Sequence, residues 1–162
     1  MAIDRASFRK KLFRLDAYSY RADPTVPAFP DDKALIVFDG VCVFCSRLAR
    51  FVAARDAAHQ FRFAMAQSEL GRALYRHAGL DPVNYESNLL IVDGRFFGKM
   101  DAFALTMARL GGLAGLFGVA NRMPNGLSDW LYDRIARNRY RMFGRTETCA
   151  VPDASWRDRV IG

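Results

Sequence analysis

Apolar positions along the chain fall into short clusters separated by turn residues, and their periods predict alternating strands and helices from Lys33 onward. Ala34–Phe38 is a continuous apolar run, the pattern of a strand buried on both faces. A helical pattern spans residues 46–55, with Leu48, Phe51 and Val52 on one side and Arg47, Arg50 and Arg55 elsewhere. Phe61–Met65 predicts a second strand, and Ser68 is an N-cap residue for a helix that ends before Gly79. Residues 88–92, the Asp93-Gly94 dipeptide and Arg95–Gly98 read as a strand, a tight turn and an antiparallel partner. Asp101 is then expected to cap a helix through Leu110.

The regions on either side follow different patterns. Residues 4–17 carry Phe8, Leu12 and Leu15 at helical spacing among basic residues, the pattern of a short amphipathic helix. Residues 23–32 hold three prolines and read as a linker. Residues 1–32 therefore form a basic arm, expected to dock on the body or stay disordered, with peripheral membrane contact the lesser reading because one short helix anchors poorly. Residues 33–162 are expected to form one domain. The order β-α-β-α-β-β-α is that of a thioredoxin-like α/β fold, in which a parallel βαβ half joins an antiparallel ββα half. An α-helical C-terminal extension, residues 113–162, follows. Its apolar stretch 113–119 is expected to be a helix packed on the sheet, and residues 127–143 a long helix closing on Gly144. Packing of this extension is expected to bring Trp130, Ile135 and Tyr140 into the core.

Composition narrows the class. With 162 residues and 51% hydrophobic content the chain can bury a real core, and three cysteines are too few for a disulfide scaffold. The charged N-terminus lacks the apolar stretch of a secretory signal. The longest strongly apolar run, residues 110–120, falls short of the ~20 residues a membrane span requires. A soluble, cytoplasmic protein is expected. The net charge of +7 and pI near 9.7 speak to weak nonspecific attraction rather than to fold.

The candidate chemistry lies in Phe38-Asp-Gly-Val-Cys42-Val-Phe-Cys45, a strand, a sharp turn and two cysteines spaced C-x-x-C ahead of a helix. Cys42 falls at the helix N-terminus, where unpaired N–H groups and the dipole favour a thiolate. A free cysteine is only about 3% thiolate at pH 7, whereas a pKa of ~6.5 makes it about 75%. The thiolate attacks in disulfide exchange, and Cys45, one turn on, is placed to resolve the mixed disulfide. Zinc is the rival reading. A structural site needs four ligands, and only Cys149, His59 and His77 remain, at scattered spacing. No metal and no organic cofactor are expected.

Other residues carry two readings each. Asp39 either holds the turn through backbone N–H groups, the favoured role, or accepts a proton beside the dithiol, where its charge would raise the Cys42 pKa. A phosphatase D-x-D reading fails because the second position is Val41. Cys149 is either a third redox thiol or a small buried side chain. Asp101, the other auxiliary candidate, reads first as a helix cap. His59 and His77 read as surface groups. Arg134, Arg137, Arg141 and Arg145 share one helical stripe with aromatics interleaved. That stripe is a solvated basic face, a contact for an anionic partner or small thiol, or part of a nucleic-acid groove. A basic noncatalytic binding module is thus the alternative to an enzyme, though no specific nucleic acid is expected.

The segment from Phe38 to Cys45 resembles the D-x-x-C-x-x-C signature of the DCC-type thiol-disulfide oxidoreductases. The resemblance extends to Asp56, Phe61-Arg-Phe-Ala, Gln67-Ser-Glu, the Asp93-Gly94 hairpin, Asp101-Ala102, and residues 137–144 with Cys149 and Pro152, covering roughly residues 33–152. It implies a thioredoxin-like fold and a dithiol activity, and it names no substrate; the expected partner, from the dithiol chemistry itself, is a disulfide- or thiol-containing protein or a small thiol. Two departures stand out. Met100 occupies a position where that family commonly carries Ser, and residues 85–88 lack the proline that ordinary thioredoxins place beside the dithiol.

Overall fold

The computed structural model describes residues 13–85, 87–116, 124–146 and 154–162. Four strands, β1 (Ala34–Phe38), β2 (Phe61–Met65), β3 (Leu89–Val92) and β4 (Arg95–Gly98), form one sheet in the order β2-β1-β3-β4. β1 pairs in parallel with β2 and antiparallel with β3, and β3 pairs antiparallel with β4. The crossover between β1 and β2 is α1 (Val43–Arg55). α2 (Glu69–His77) follows β2, and α3 (Lys99–Leu110) follows β4. The fold is thioredoxin-like α/β.

β1 is central, which explains its unbroken apolar sequence. Ala34, Ile36 and Phe38 face a core built with Ala49 and Val52 of α1 and Leu105 and Met107 of α3. Leu35 and Val37 face the opposite core, with Leu70, Leu74 and Tyr75 of α2. Gly71 lets α2 sit close on the end of β2, because a Cβ there would lie 2.2 Å from the Met65 carbonyl oxygen. At the β3–β4 turn Asp93 and Gly94 both take positive φ, the conformation an Asp-Gly hairpin supplies.

Several expectations change. α1 begins at Val43 with Cys42 as its N-cap. α3 begins at Lys99 with Gly98 as N-cap, so Asp101 does not cap it; it lies in the first turn, where a negative charge still favours the helix. The chain enters α3 directly from β4 through Lys99 at φ 51°, with the Lys99 N–H donating to Ser87 Oγ at 3.1 Å. Of the stretch 113–119, the described part holds a short helix, α4 (Gly112–Gly115). Only Ala114 is buried there, while Leu113 and Leu116 are exposed, so this part does not pack on the sheet as expected.

The long helix is α5 (Asn125–Phe143). Trp130 is 61% exposed rather than in the core, and Ile135 and Tyr140 are half-buried. The helical period explains this. Ser128, Tyr132, Ile135 and Arg139, spaced i, i+4, i+7 and i+11, form the inward face, and Trp130 points away from it. Arg134, Arg137, Arg141 and Arg145 are exposed, as the stripe predicts.

Both ends of the described chain dock. Phe13 and Tyr20 are buried against Phe96, and Tyr20 Oη donates to Asp31 at 2.8 Å. His77 is not a surface group, because its ring contacts Ser19 Oγ at 2.9 Å and Asp23 at 2.6 Å, fastening this segment; His59 is exposed. At the other end Trp156 packs on Phe38 and Phe63. The Ile161 N–H donates to the Phe63 carbonyl at 2.8 Å. Phe8, Leu12 and Cys149 lie outside the described residues.

Candidate functional site

β1 ends at Phe38 and the chain turns through Asp39, Gly40 and Val41 into α1. The turn is held by the Asp39 carboxylate, which is buried and accepts from four donors. These are Val41 N at 3.1 Å, Gln67 Nε2 at 2.6 Å, Arg139 Nη2 at 3.3 Å and the Tyr140 hydroxyl. Gln67 also receives the Gly40 N–H at 3.0 Å. One carboxylate thus ties the turn to the end of β2 and to α5. Buried charge needs such pairing, and the Asp39–Arg139 ion pair supplies it.

Both cysteines are free thiols. Cys42 is fully buried, and its Sγ accepts the Cys45 N–H at 3.4 Å. The hydrogen bond from the Cys45 thiol lowers the Cys42 pKa most. The Cys45 backbone N–H and the Arg139 charge add to this against burial and Asp39, and together they bring it from 9.0 to about 6. Cys45 moves the other way. Its thiol is pushed up by donating to Cys42, by burial and by the negative charge on Cys42. Both shifts favour the negative charge on Cys42 and a protonated thiol on Cys45.

The segment after α5 closes over this turn. Gly144 ends the helix at φ 86°, Arg145 bridges Cys42 in antiparallel fashion, and the Thr146 N–H donates to the Val41 carbonyl at 2.9 Å. On the other side Tyr132 of α5 secures the entry to β3. Its hydroxyl accepts from Asn88 N at 3.0 Å and donates to Asn88 Oδ1 at 2.7 Å.

Residues 36–145, more than half of the chain, match the model of the DCC1-like thiol-disulfide oxidoreductases. The chain belongs to that DCC1-like family. The Bacillus subtilis protein YuxK is 32% identical over 127 residues, covering 78% of this chain and 93% of that protein. A chloroplastic DCC family protein of Arabidopsis thaliana is 30% identical over 147 residues, covering 90% of this chain and 86% of its own length. No solved structure matches. Membership supports a redox role in general terms.

In this DCC1-like chain the structure brings Asp39, Cys42 and Cys45 together. Asp101 is not among the residues lining the cavities beside Cys45, whereas its neighbour Met100 is. Arg134 and Arg141 stay on the outer stripe. Among the described residues no three His, Cys, Asp or Glu side chains gather to hold a metal ion, and no helix is long and apolar enough to cross a membrane. Arg139, Tyr132 and Tyr140 were not expected at the site. The signal for Arg139 was its phase: it falls on the Tyr132–Ile135 face of α5, away from the basic stripe.

Proposed function

We propose that Cys42 and Cys45 form a reversible redox dithiol that exchanges disulfides with a protein or small-thiol substrate. The observation that carries this reading is geometric: Cys42 caps the N-terminus of α1 and its Sγ accepts the Cys45 N–H at 3.4 Å, an arrangement that draws the Cys42 pKa down to about 6. Cys42 attacks a substrate sulfur as the thiolate, and Cys45 then attacks Cys42 Sγ to release the reduced product. Cys42 is sealed from solvent and does not line the two cavities that Cys45 lines, so a substrate sulfur approaches from the Cys45 side. Asp39 holds the turn and opposes the Cys42 thiolate only weakly, since Arg139 neutralises it. A cytoplasmic setting, where thiols are kept reduced, suits a dithiol that starts its cycle reduced.

Oxidation with diamide followed by mass spectrometry tests the reading. A Cys42–Cys45 disulfide that dithiothreitol reverses is expected. Alkylation by iodoacetamide across a pH series should show a midpoint near 6, and a Cys45→Ser variant should accumulate a mixed disulfide on Cys42. Failure to form the internal disulfide, or a midpoint at the ordinary value near 9, would sink the proposal.

A further inference from the structure

Three cavities adjoin along α5, running from its inward face to its exposed basic stripe, and they grade from apolar to basic. The first, about 190 Å³, is walled by Ile36, Phe38, Leu48, Met100, Phe103 and Met107. By comparison, an apolar cavity of roughly 150 Å³ admits a benzene ring. The second, about 50 Å³, shares Phe44, Cys45, Asn88, Tyr132 and Ile135 with the first and is also lined by Asp39 and Arg139. The third, about 250 Å³, shares Tyr85, Ala136 and Arg139 with the second and is lined further by Arg137, Tyr140 and Arg145. Cys45 stands at the junction of the apolar and middle chambers. Arg139 stands at the junction of the middle and basic ones, with its Nε buried and without a hydrogen-bond partner among the described residues.

The backbone beside the dithiol is already engaged. The Asn88 N–H is bonded to Tyr132, the Val41 carbonyl accepts from Thr146, and Cys42 is bridged by Arg145. An extended peptide is recognised through free main-chain groups at an edge, and these are taken. Side chains and cavity shape are left to select the substrate.

Resting on the dithiol reading above, we propose that the substrate is a small amphipathic disulfide. Its apolar arm sits in the chamber of Met100 and Phe103, its sulfurs lie at Cys45, and its anionic arm points toward Arg137 and Arg145. In the exchange, the Cys42 thiolate bonds to the sulfur of the apolar arm as the substrate S–S bond breaks. The anionic arm departs as a thiolate beside Arg139 and takes the Cys45 proton. The Cys45 thiolate then attacks Cys42 Sγ, and the apolar arm leaves as a thiolate that takes a proton from water. Two electrons pass from the protein dithiol to the substrate, which ends as two thiols.

Three disulfides of matched size separate the arms: dipropyl disulfide, bis(2-carboxyethyl) disulfide and the mixed propyl–carboxyethyl disulfide. Stopped-flow oxidation of the reduced full-length protein is measured with each and normalised to the same reaction of 2-mercaptoethanol. The mixed disulfide should react roughly tenfold or more faster than either symmetric one, the size of discrimination one matched pocket gives. Arg137→Ala, at an exposed position, should bring the mixed disulfide down to the dipropyl rate. Met100→Gln should cut the mixed rate several-fold, and Phe103→Gln is read instead if circular dichroism shows that Met100→Gln is unfolded. Equal normalised rates for the three disulfides, or an Arg137→Ala variant that keeps its preference for the mixed one, would overturn the inference. Diamide oxidation of the same sample separates the two proposals: an internal disulfide with no preference removes only the amphipathic substrate, whereas no internal disulfide removes the dithiol itself.

Discussion

Asp39 and Arg139 lie one hundred residues apart in sequence yet act on the same sulfur with opposite signs. The Arg139 charge lowers the Cys42 pKa and the Asp39 charge raises it. Arg139→Met should therefore move the Cys42 alkylation midpoint upward, and Asp39→Asn should move it downward. Both variants also disturb a buried pair, and removing one partner of such a pair costs about 3–5 kcal/mol. The double variant, which leaves no uncompensated charge, should cost less than the sum of the single ones in urea denaturation. Midpoints that shift the same way in both single variants would show that distortion of the turn outweighs charge. The sign of the pH dependence follows from the lowered Cys42 pKa. Its contribution to the stability of the reduced protein is present above pH 9 and is lost as pH falls toward about 6. Reduced wild type should gain stability across that window relative to Cys42→Ser.

The elements around the dithiol were largely legible, because their signals are local. A continuous apolar run marks β1, an Asp-Gly pair marks the β3–β4 turn, and Ser68 marks the start of α2, where its hydroxyl accepts the Gly71 N–H at 3.0 Å. What was not legible depends on which side of a helix meets the body. The basic stripe and the aromatics of α5 are visible in the sequence, but the expectation that Trp130 packs into the core rests on the apolar character of the extension and not on helical phase. The phase that places Tyr132, Ile135 and Arg139 together decides the matter, and it excludes Trp130. The α3 boundary differs for a local reason: Asp101 is a good cap residue, but the chain already turns at Lys99, with Gly98 as N-cap. Tyr132 links α5 to the entrance of β3 through a hydroxyl that is both donor and acceptor to Asn88. Tyr132→Phe leaves the half-buried Asn88 N–H without its acceptor, a loss toward the lower end of about 1–3 kcal/mol. Denaturant titration should show that loss, and hydrogen exchange should show faster exchange of the Asn88 amide. An unchanged amide would mean that α5 is held by its apolar face alone.

At the scale of the whole molecule, the residues after α4 complete the site and both cores rather than append to them. α5 delivers Arg139 to Asp39 and Tyr132 to Asn88. The final residues deliver Trp156 between Phe38 and Phe63 and run Val160 beside β2. Arg159 donates to Asp56 at 3.0 Å and to the Ala53 carbonyl at 2.6 Å, inside the end of α1. Asp56 also accepts from the Gln60 and Phe61 N–H groups, so this buried carboxylate shapes the turn into β2 and relies on Arg159 for its counter-charge. None of this was readable from the last nine residues, which carry no period and no motif. A chain cut after Gly112 would leave Asp39 and Asp56 buried without their arginines and would uncover the apolar faces of α1 and α3. Two uncompensated buried charges, at about 3–5 kcal/mol each, approach the 5–15 kcal/mol by which a domain is stable at all. Deletion of residues 113–162 should therefore give an insoluble or molten product. Arg159→Met alone should lower stability by several kcal/mol and leave the Cys42 alkylation midpoint near 6, because Arg159 is not among the charges that set it. A fragment 32–112 that stays soluble, unfolds cooperatively and keeps that midpoint would show that the dithiol turn needs neither arginine.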